Sequence, residues 1–186
     1  MNQSIKDDIA ASIQNFKLPA YQEIPDVGFY LEQTTQYISE FLKPMPSISI
    51  TSSMISNYVK KGLIEKPVKK QYHREQIAYL IFIAIAKTVL SLEDIYLLIQ
   101  IQKQTYEPEI AYEYCCREFE NILFFVFGLK DSLEEVGSKN SDAKNMLRNT
   151  IIAVAHKIYL DQYFAALHKS GDFFLLKRKS PSSDEL

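Results

Sequence analysis

The segment Thr51 to Leu63, TSSMISNYVKKGL, groups the side chains in this sequence whose types and spacing best suit a binding surface. Wound as a helix, it places Ile55, Tyr58, Val59 and Leu63 on one face. Ser52, Ser56 and Lys60 form one opposite row, and Ser53, Asn57 and Lys61 the next. Small hydroxyls and an amide donate to phosphates or read base edges in a major groove, Asn pairs well with adenine, and lysine neutralises phosphate. The same pattern also describes a short amphipathic helix with a solvated polar face. Charge distribution bears on the choice. Residues 57–75 carry six basic side chains against two acidic ones, a net +4, and residues 91–135 carry three against ten, a net −7, inside a total of −2. A basic stretch over a short helix, a small loop and the next helix start is the electrostatic footprint expected for DNA, although a charged loop is also simply soluble.

Other chemistry-bearing residue types offer less. His73 sits beside Arg74 at a predicted helix start, where a phosphate contact or a capping role is the plain reading. His156 and His168 lie on one predicted helix but not at the i, i+4 spacing of a metal pair. Cys115 and Cys116 are adjacent inside another predicted helix, so their side chains point about 100° apart. No other Cys or His stands at ligand spacing, so no metal site is expected. The pair Glu134–Glu135 falls in linker-like sequence and reads as solvated. No Ser or Cys stands in a nucleophile elbow, and five glycines spell neither GxGxxG nor GxxxxGK[ST]. A protein without catalysis and without a cofactor is the expectation.

The elements that must position the Thr51–Leu63 segment follow from composition and punctuation. In 186 residues, 47% hydrophobic and 24% charged residues suffice for a buried core, and only five glycines and seven prolines argue for an all-α fold. Helices are predicted over Ser4–Leu18, over Leu31–Lys43 up to Pro44, and from a Thr51 N-cap to Gly62. Pro67 interrupts the chain before a helix from about His73 to Val89. Ser91 and Asp94 open the next helix as an S-x-x-D box, and Pro108 suits the first turn of a helix reaching Phe127. A long helix carrying Leu147, Ile151, Val154, Ile158 and Ala165 on one side ends before Gly171. That stripe suits either a dimer seam or an intramolecular bundle core. The cluster Phe124, Phe125, Phe127, Tyr159, Tyr163, Phe164, Phe173 and Phe174 suits a core or the lining of an apolar pocket. The longest apolar run, Ile77–Ala86, is half the roughly 20 residues a membrane span needs. With a polar N-terminus and no disulfide framework, the expected location is the cytoplasm.

The stretch ITSSMISNYVKKGLIEKPVKKQYHREQIAYLIFIAIAKTVLSLEDIYLLI resembles the DNA-binding domain of MerR-type regulators. Tyr58, Gly62, Leu63, Ile64 and Pro67 match that family's Y-x-x-x-G-L-I-x-P pattern. Tyr72, Glu75, Ile77, Leu80 and Ile83 match the helix after its wing, and Ser91 to Ile95 its next helix opening. More closely, the chain is similar to the bacterial family called domain of unknown function 1836, at IPDVGFYLEQ, at TSSMISNYVKKGLIEKPVKKQYHREQIAYL and at KTVLSLEDI, over residues 18–100. The resemblance implies a MerR-like winged helix-turn-helix over 31–105, and punctuation, charge and composition add an N-terminal arm over 1–30, an acidic helical bundle over 106–176 and a tail over 177–186 in a mainly helical chain. It implies a first helix at about Gln33–Leu42, a recognition helix at Ser52–Lys61 and a vestigial wing at Lys66–Tyr72 that lacks the usual Asn-Gly turn. Double-stranded DNA is the implied partner of a homodimer. On that reading Ser52, Ser53, Ser56 and Asn57 are expected to face base edges, Lys60, Lys61, Lys69, Lys70 and Arg74 to neutralise phosphate, and Tyr72 to belong to the same DNA-binding set. A small-molecule effector stays open as a further partner, with no motif in the sequence to support it. The rival reading is a protein-interaction adaptor that keeps the scaffold without DNA binding.

Overall fold

A computed structural model describes residues 3–137 and 141–170. The described chain is mainly helical: α1 (Gln3–Ile13), α2 (Leu31–Leu42), α3 (Ser52–Lys60), α4 (Arg74–Ala86), α5 (Leu92–Thr105), α6 (Pro108–Val126) and α7 (Asp142–Ser170), with a 3₁₀ turn at Tyr21–Glu23. Among the described residues the only β pairing is two isolated bridges. The expected tail at 177–186, and Phe173 and Phe174, lie outside the described residues.

Local chemistry accounts for several helix ends. Thr51 Oγ1 accepts the Met54 N–H at 3.2 Å, and Ser91 Oγ accepts that of Asp94 at 3.1 Å while donating to the Asp94 carboxylate at 2.7 Å. Pro108 occupies the first turn of α6, where its missing N–H costs no hydrogen bond. The predicted first helix stops at Ile13 rather than Leu18, and the chain turns so that Phe16 and Leu18 are buried. The predicted fourth helix stops at Ala86, with Lys87 as its C-cap.

α4 is the centre of the molecule. Ile77, Leu80, Ile81, Ile83, Ala84 and Ala86 are all buried, so this helix is covered on nearly every side, by α2, α6 and α7. α6 and α7 run in the same direction, because Glu118 pairs with Arg148 and, farther along both helices, Phe127 packs edge-on against Tyr159. The connection between them therefore folds back along α6, where Asn121 accepts from the Glu134 N–H and donates to its carbonyl. α1 lies antiparallel to α7, with Ser12 bonded to Gln162 at 2.9 Å and the start of α1 and end of α7 lining one groove.

A single buried cluster includes residues of all seven helices and continues across the 105/106 boundary drawn from the sequence. Leu147, Ile151, Val154 and Ile158 are buried within it, so the α7 stripe packs inside the chain and is not free as a dimer seam, whereas Ala165 is exposed beyond the end of α6. Of the aromatic cluster, Phe127 is core, Phe125 and Phe164 face solvent, and Tyr159 and Tyr163 stack with ring centroids 5.9 Å apart.

One buried charge pair ties α6 to α7. Glu118 is fully buried, and Arg148 Nε lies 2.9 Å from its Oε1, yet neither carboxylate oxygen receives a well-aligned hydrogen bond. Burial raises the Glu118 pKa above the usual carboxylate range, against the opposing pull of Arg148 and Lys144.

The cysteines are core residues. Burial pushes the Cys115 thiol up to about 12 and the Cys116 thiol higher still, so neither supplies a thiolate at neutral pH. In the native protein both are expected to resist an aromatic disulfide reagent and to react only after unfolding in guanidinium. Prompt labelling of the folded chain would contradict this placement.

Candidate nucleic-acid interface

α3 is held at both ends and along one side. After the Thr51 cap it closes in a Schellman arrangement: the Leu63 N–H donates to Tyr58 O at 3.0 Å and the Gly62 N–H to Val59 O at 3.1 Å, with Gly62 at φ +73°. Ile55 and Tyr58 are buried beneath it, and Val59 is half-buried. The long Leu42–Thr51 connection is accommodated as packed turns, in which Met45 N–H donates to Leu42 O and Ile48 N–H to Met45 O, with Met45, Ile48 and Ile50 buried.

This seating leaves Ser53, Ser56, Asn57, Lys60 and Lys61 exposed. Ser56 Oγ donates to Ser52 O at 2.9 Å, which leaves its oxygen able to accept. Ser52 departs from the expectation. It is half-buried and its hydroxyl lies 3.1 Å from Thr35 Oγ1, so it joins α2 to α3 and is withdrawn from the exposed row.

The segment after α3 forms a two-residue hairpin. Val68 and Gln71 bridge in antiparallel fashion, with the Gln71 N–H donating to Val68 O at 2.9 Å. Between them Lys69 and Lys70 both take positive φ, 49° and 67°, the signature of a type I′ turn. Turns of this type favour Asn-Gly, since a side chain in the left-handed region costs about 1–2 kcal/mol per residue. Here both costly positions hold an exposed lysine. Val68 beside them is 62% exposed.

Two further residues of the predicted set are engaged within the chain. Tyr72 is 4% exposed, and its backbone exchanges two hydrogen bonds of 2.8 Å with Phe29, so it anchors the hairpin in the core and does not face a ligand. Arg74 Nε donates to Ile24 O at 2.8 Å and its guanidinium stands 5.7 Å from the Tyr21 ring centroid, so part of its donor set fastens the N-terminal segment. His73 Nδ1 lies 3.3 Å from Asp26 O and 3.9 Å from the Asp26 carboxylate on the same seam.

The sequence reading missed the segment Asp26–Phe29 as the support of the hairpin; the turn-forming Asp-Val-Gly was its only local signal. Gly28 stands at φ +78°, and a Cβ there would come within 3.0 Å of Gln71 Cβ and 3.2 Å of the His73 ring. Gly28→Ala is therefore expected to cost about 1–3 kcal/mol by chemical denaturation and to loosen the hairpin. A change under about 0.5 kcal/mol, the range of ordinary surface substitutions, would show that this seam is slack.

A family model described as Domain of unknown function (DUF1836) matches residues 19–115, just over half of the chain. That span contains the N-terminal segment, α2, α3, the hairpin, α4, α5 and the first part of α6. No curated protein and no solved structure matches the chain. Among the described residues no helix is long and apolar enough to cross a membrane.

Proposed function

The chain belongs to the DUF1836 family, and we propose that it acts as a DNA-binding transcriptional regulator of MerR-like winged helix-turn-helix type, working as a homodimer. In this reading α3 enters the major groove with Ser53, Ser56 and Asn57 toward base edges. Lys60 and Lys61 meet phosphate at its C-terminal end, and the short hairpin is a wing whose tip lysines meet phosphate alongside. The observation that carries the reading is the Lys69-Lys70 pair: two exposed ammonium groups at the two turn positions where glycine or asparagine relieves the backbone. The element order of bridge, two helices, hairpin and helix pair agrees with it.

The test is fluorescence anisotropy of labelled DNA from upstream of the protein's own gene, beside a scrambled fragment, over a salt series. Four lysines per subunit in a dimer should give a log–log salt slope of about −7, at about −0.9 per neutralised phosphate. Asn57→Ala should narrow the gap between the two fragments, whereas Lys60→Ala with Lys61→Ala should weaken both alike. Absence of binding to either fragment in low salt would sink the proposal for those sequences. The adaptor reading is favoured by one feature, the apolar pair Tyr96 and Leu97 on α5, which are 41% and 58% exposed and line a shallow groove with Lys61 and Leu63. Under that reading, DNA binding is absent while substitution of Leu97 abolishes capture of a protein partner.

A further inference from the structure

A cleft of about 430 Å³ opens between the end of α5, the first half of α6 and the start of α7, well away in sequence from α3 and the hairpin. We propose that it binds a small organic carboxylate with an apolar body, and this site does not rest on the DNA reading. Its size is near the lower end of the range for small-molecule sites. At roughly 30 Å³ per water-sized group it has room for about a dozen non-hydrogen atoms.

The anion is called for by Lys144. This side chain is 9% exposed and lines the cleft. Its Nζ donates to Gly137 O at 2.7 Å and stands 5.6 Å from the Tyr114 ring centroid, and among the described residues no carboxylate oxygen lies within 4.0 Å of it. A buried ammonium is ordinarily paired, because removing it from water without a counter-charge is costly. Glu118 acts on it from a distance, but that carboxylate is already paired with Arg148.

The two acids on the cleft wall are also engaged. Glu113 Oε1 accepts the Tyr21 N–H at 2.5 Å, and Glu109 Oε1 accepts from Gln22 Nε2 at 2.8 Å, both on the N-terminal segment. Arg117, one turn beyond Glu113, lines the cleft as a second cation, exposed and without an ion pair among the described residues. The rest of the wall is suited to hydrocarbon: Ile110, 58% exposed, the Tyr114 ring and Val136. Glu109 and Glu113 bring negative charge to the same wall but spend these oxygens on the N-terminal segment. The cations Lys144 and Arg117, which have no ion partner among the described residues, therefore select beside the apolar wall a ligand with a carboxylate at one end and a ring or short chain at the other.

The probe is 4-phenylbutyrate, with 4-phenylbutylamine and 4-phenylbutanol as isosteres of the other charge types, titrated into the full chain by calorimetry and by amide NMR. The carboxylate should bind saturably, at least tenfold more tightly than either isostere, with shifts concentrated at Ile110–Arg117 and Lys144. Lys144→Gln should weaken it at least tenfold. Arg117→Gln, a surface change that leaves the core untouched, should weaken it severalfold and keeps the test decisive if the Lys144 variant does not fold. No saturable response up to about 10 mM, a millimolar scale at which even weak specific binding shows, would overturn the proposal. So would equal binding of the amine, or affinity unchanged by Arg117→Gln.

Discussion

Replacing Arg148 with methionine is expected to cost about 3 kcal/mol of stability at pH 7. It leaves Glu118, which has no exposed surface, as a buried carboxylate without its cation. The figure is at the low end for a broken buried pair because the Arg148 side chain is itself 30% exposed. The pH dependence gives the result its signature. Burial raises the Glu118 pKa above its ordinary value of 4.5, against the pull of Arg148 and Lys144, so the folded state holds this proton more tightly than the unfolded chain does. Stability from this group is therefore fully present below the ordinary value and is lost as pH rises through the raised one. Removing Arg148 takes away an effect that holds the pKa down, so the window of loss extends upward. The variant should be close to the parent at acid pH and fall away toward neutrality. Adding Glu118→Gln to it should restore most of the loss and flatten the difference. Urea denaturation at pH 5 and pH 7 reads all three. An equal penalty at both pH values would show that Arg148 acts through packing and not through charge.

The second large effect is a trade between stability and binding at the hairpin tip. Exchanging Lys69-Lys70 for Asn-Gly supplies the residues a type I′ turn prefers and relieves two left-handed side-chain positions. The folded chain should gain about 1 kcal/mol, or roughly 2–4 °C in melting temperature for a protein of this size. If the pair neutralises phosphate, DNA affinity should fall roughly a hundredfold near physiological salt. The salt slope of the dimer should become shallower by about 3.6, four contacts at 0.9 each. A more stable protein with unchanged DNA affinity would remove the hairpin from the proposed interface and leave α3 alone to carry it.

These two sites also show where the sequence is readable and where it is not. The Thr51 cap, the Gly62 close of α3, the Ser91 box and the Pro108 opening of α6 are all local, within four residues of what they control, and each is found where it was expected. The internal contacts of Ser52, Tyr72 and Arg74 are not legible in the sequence for the opposite reason. Their partners are Thr35, Phe29 and Ile24, between 17 and 50 residues away, and nothing in the flanking sequence announces them. A tyrosine or arginine next to a basic loop looks available until the segment that covers it is placed. The lysine turn was hidden because propensity argues against it: two lysines are poor residues for the left-handed region, so their sequence signals no turn. The charge count over 91–135 includes Glu118 without marking it as buried, because the helix that covers it, α7, lies beyond that stretch. The α7 stripe was read as a set, though the partner that would bury it, α6 or a second copy, lay outside what periodicity reports.

The packing of α1 against α7 sets the order in which these two helices can dock during synthesis. Ser12 and Gln162, which meet across that interface, are 150 residues apart. At translation rates of about 5–20 residues per second, α1 is made roughly 8–30 s before the surface that receives it. Its apolar face, Ile5, Ile9 and Ile13, has no α7 to cover it during that interval. A chain released before Gln162 would keep that face open and become a substrate for chaperones or proteases, whereas the α2–α5 segment, whose contacts are closer in sequence, can begin to assemble earlier. α1 is thus made early relative to α7 yet finds its place only once α7 is made, so docking of the two marks a late step of folding.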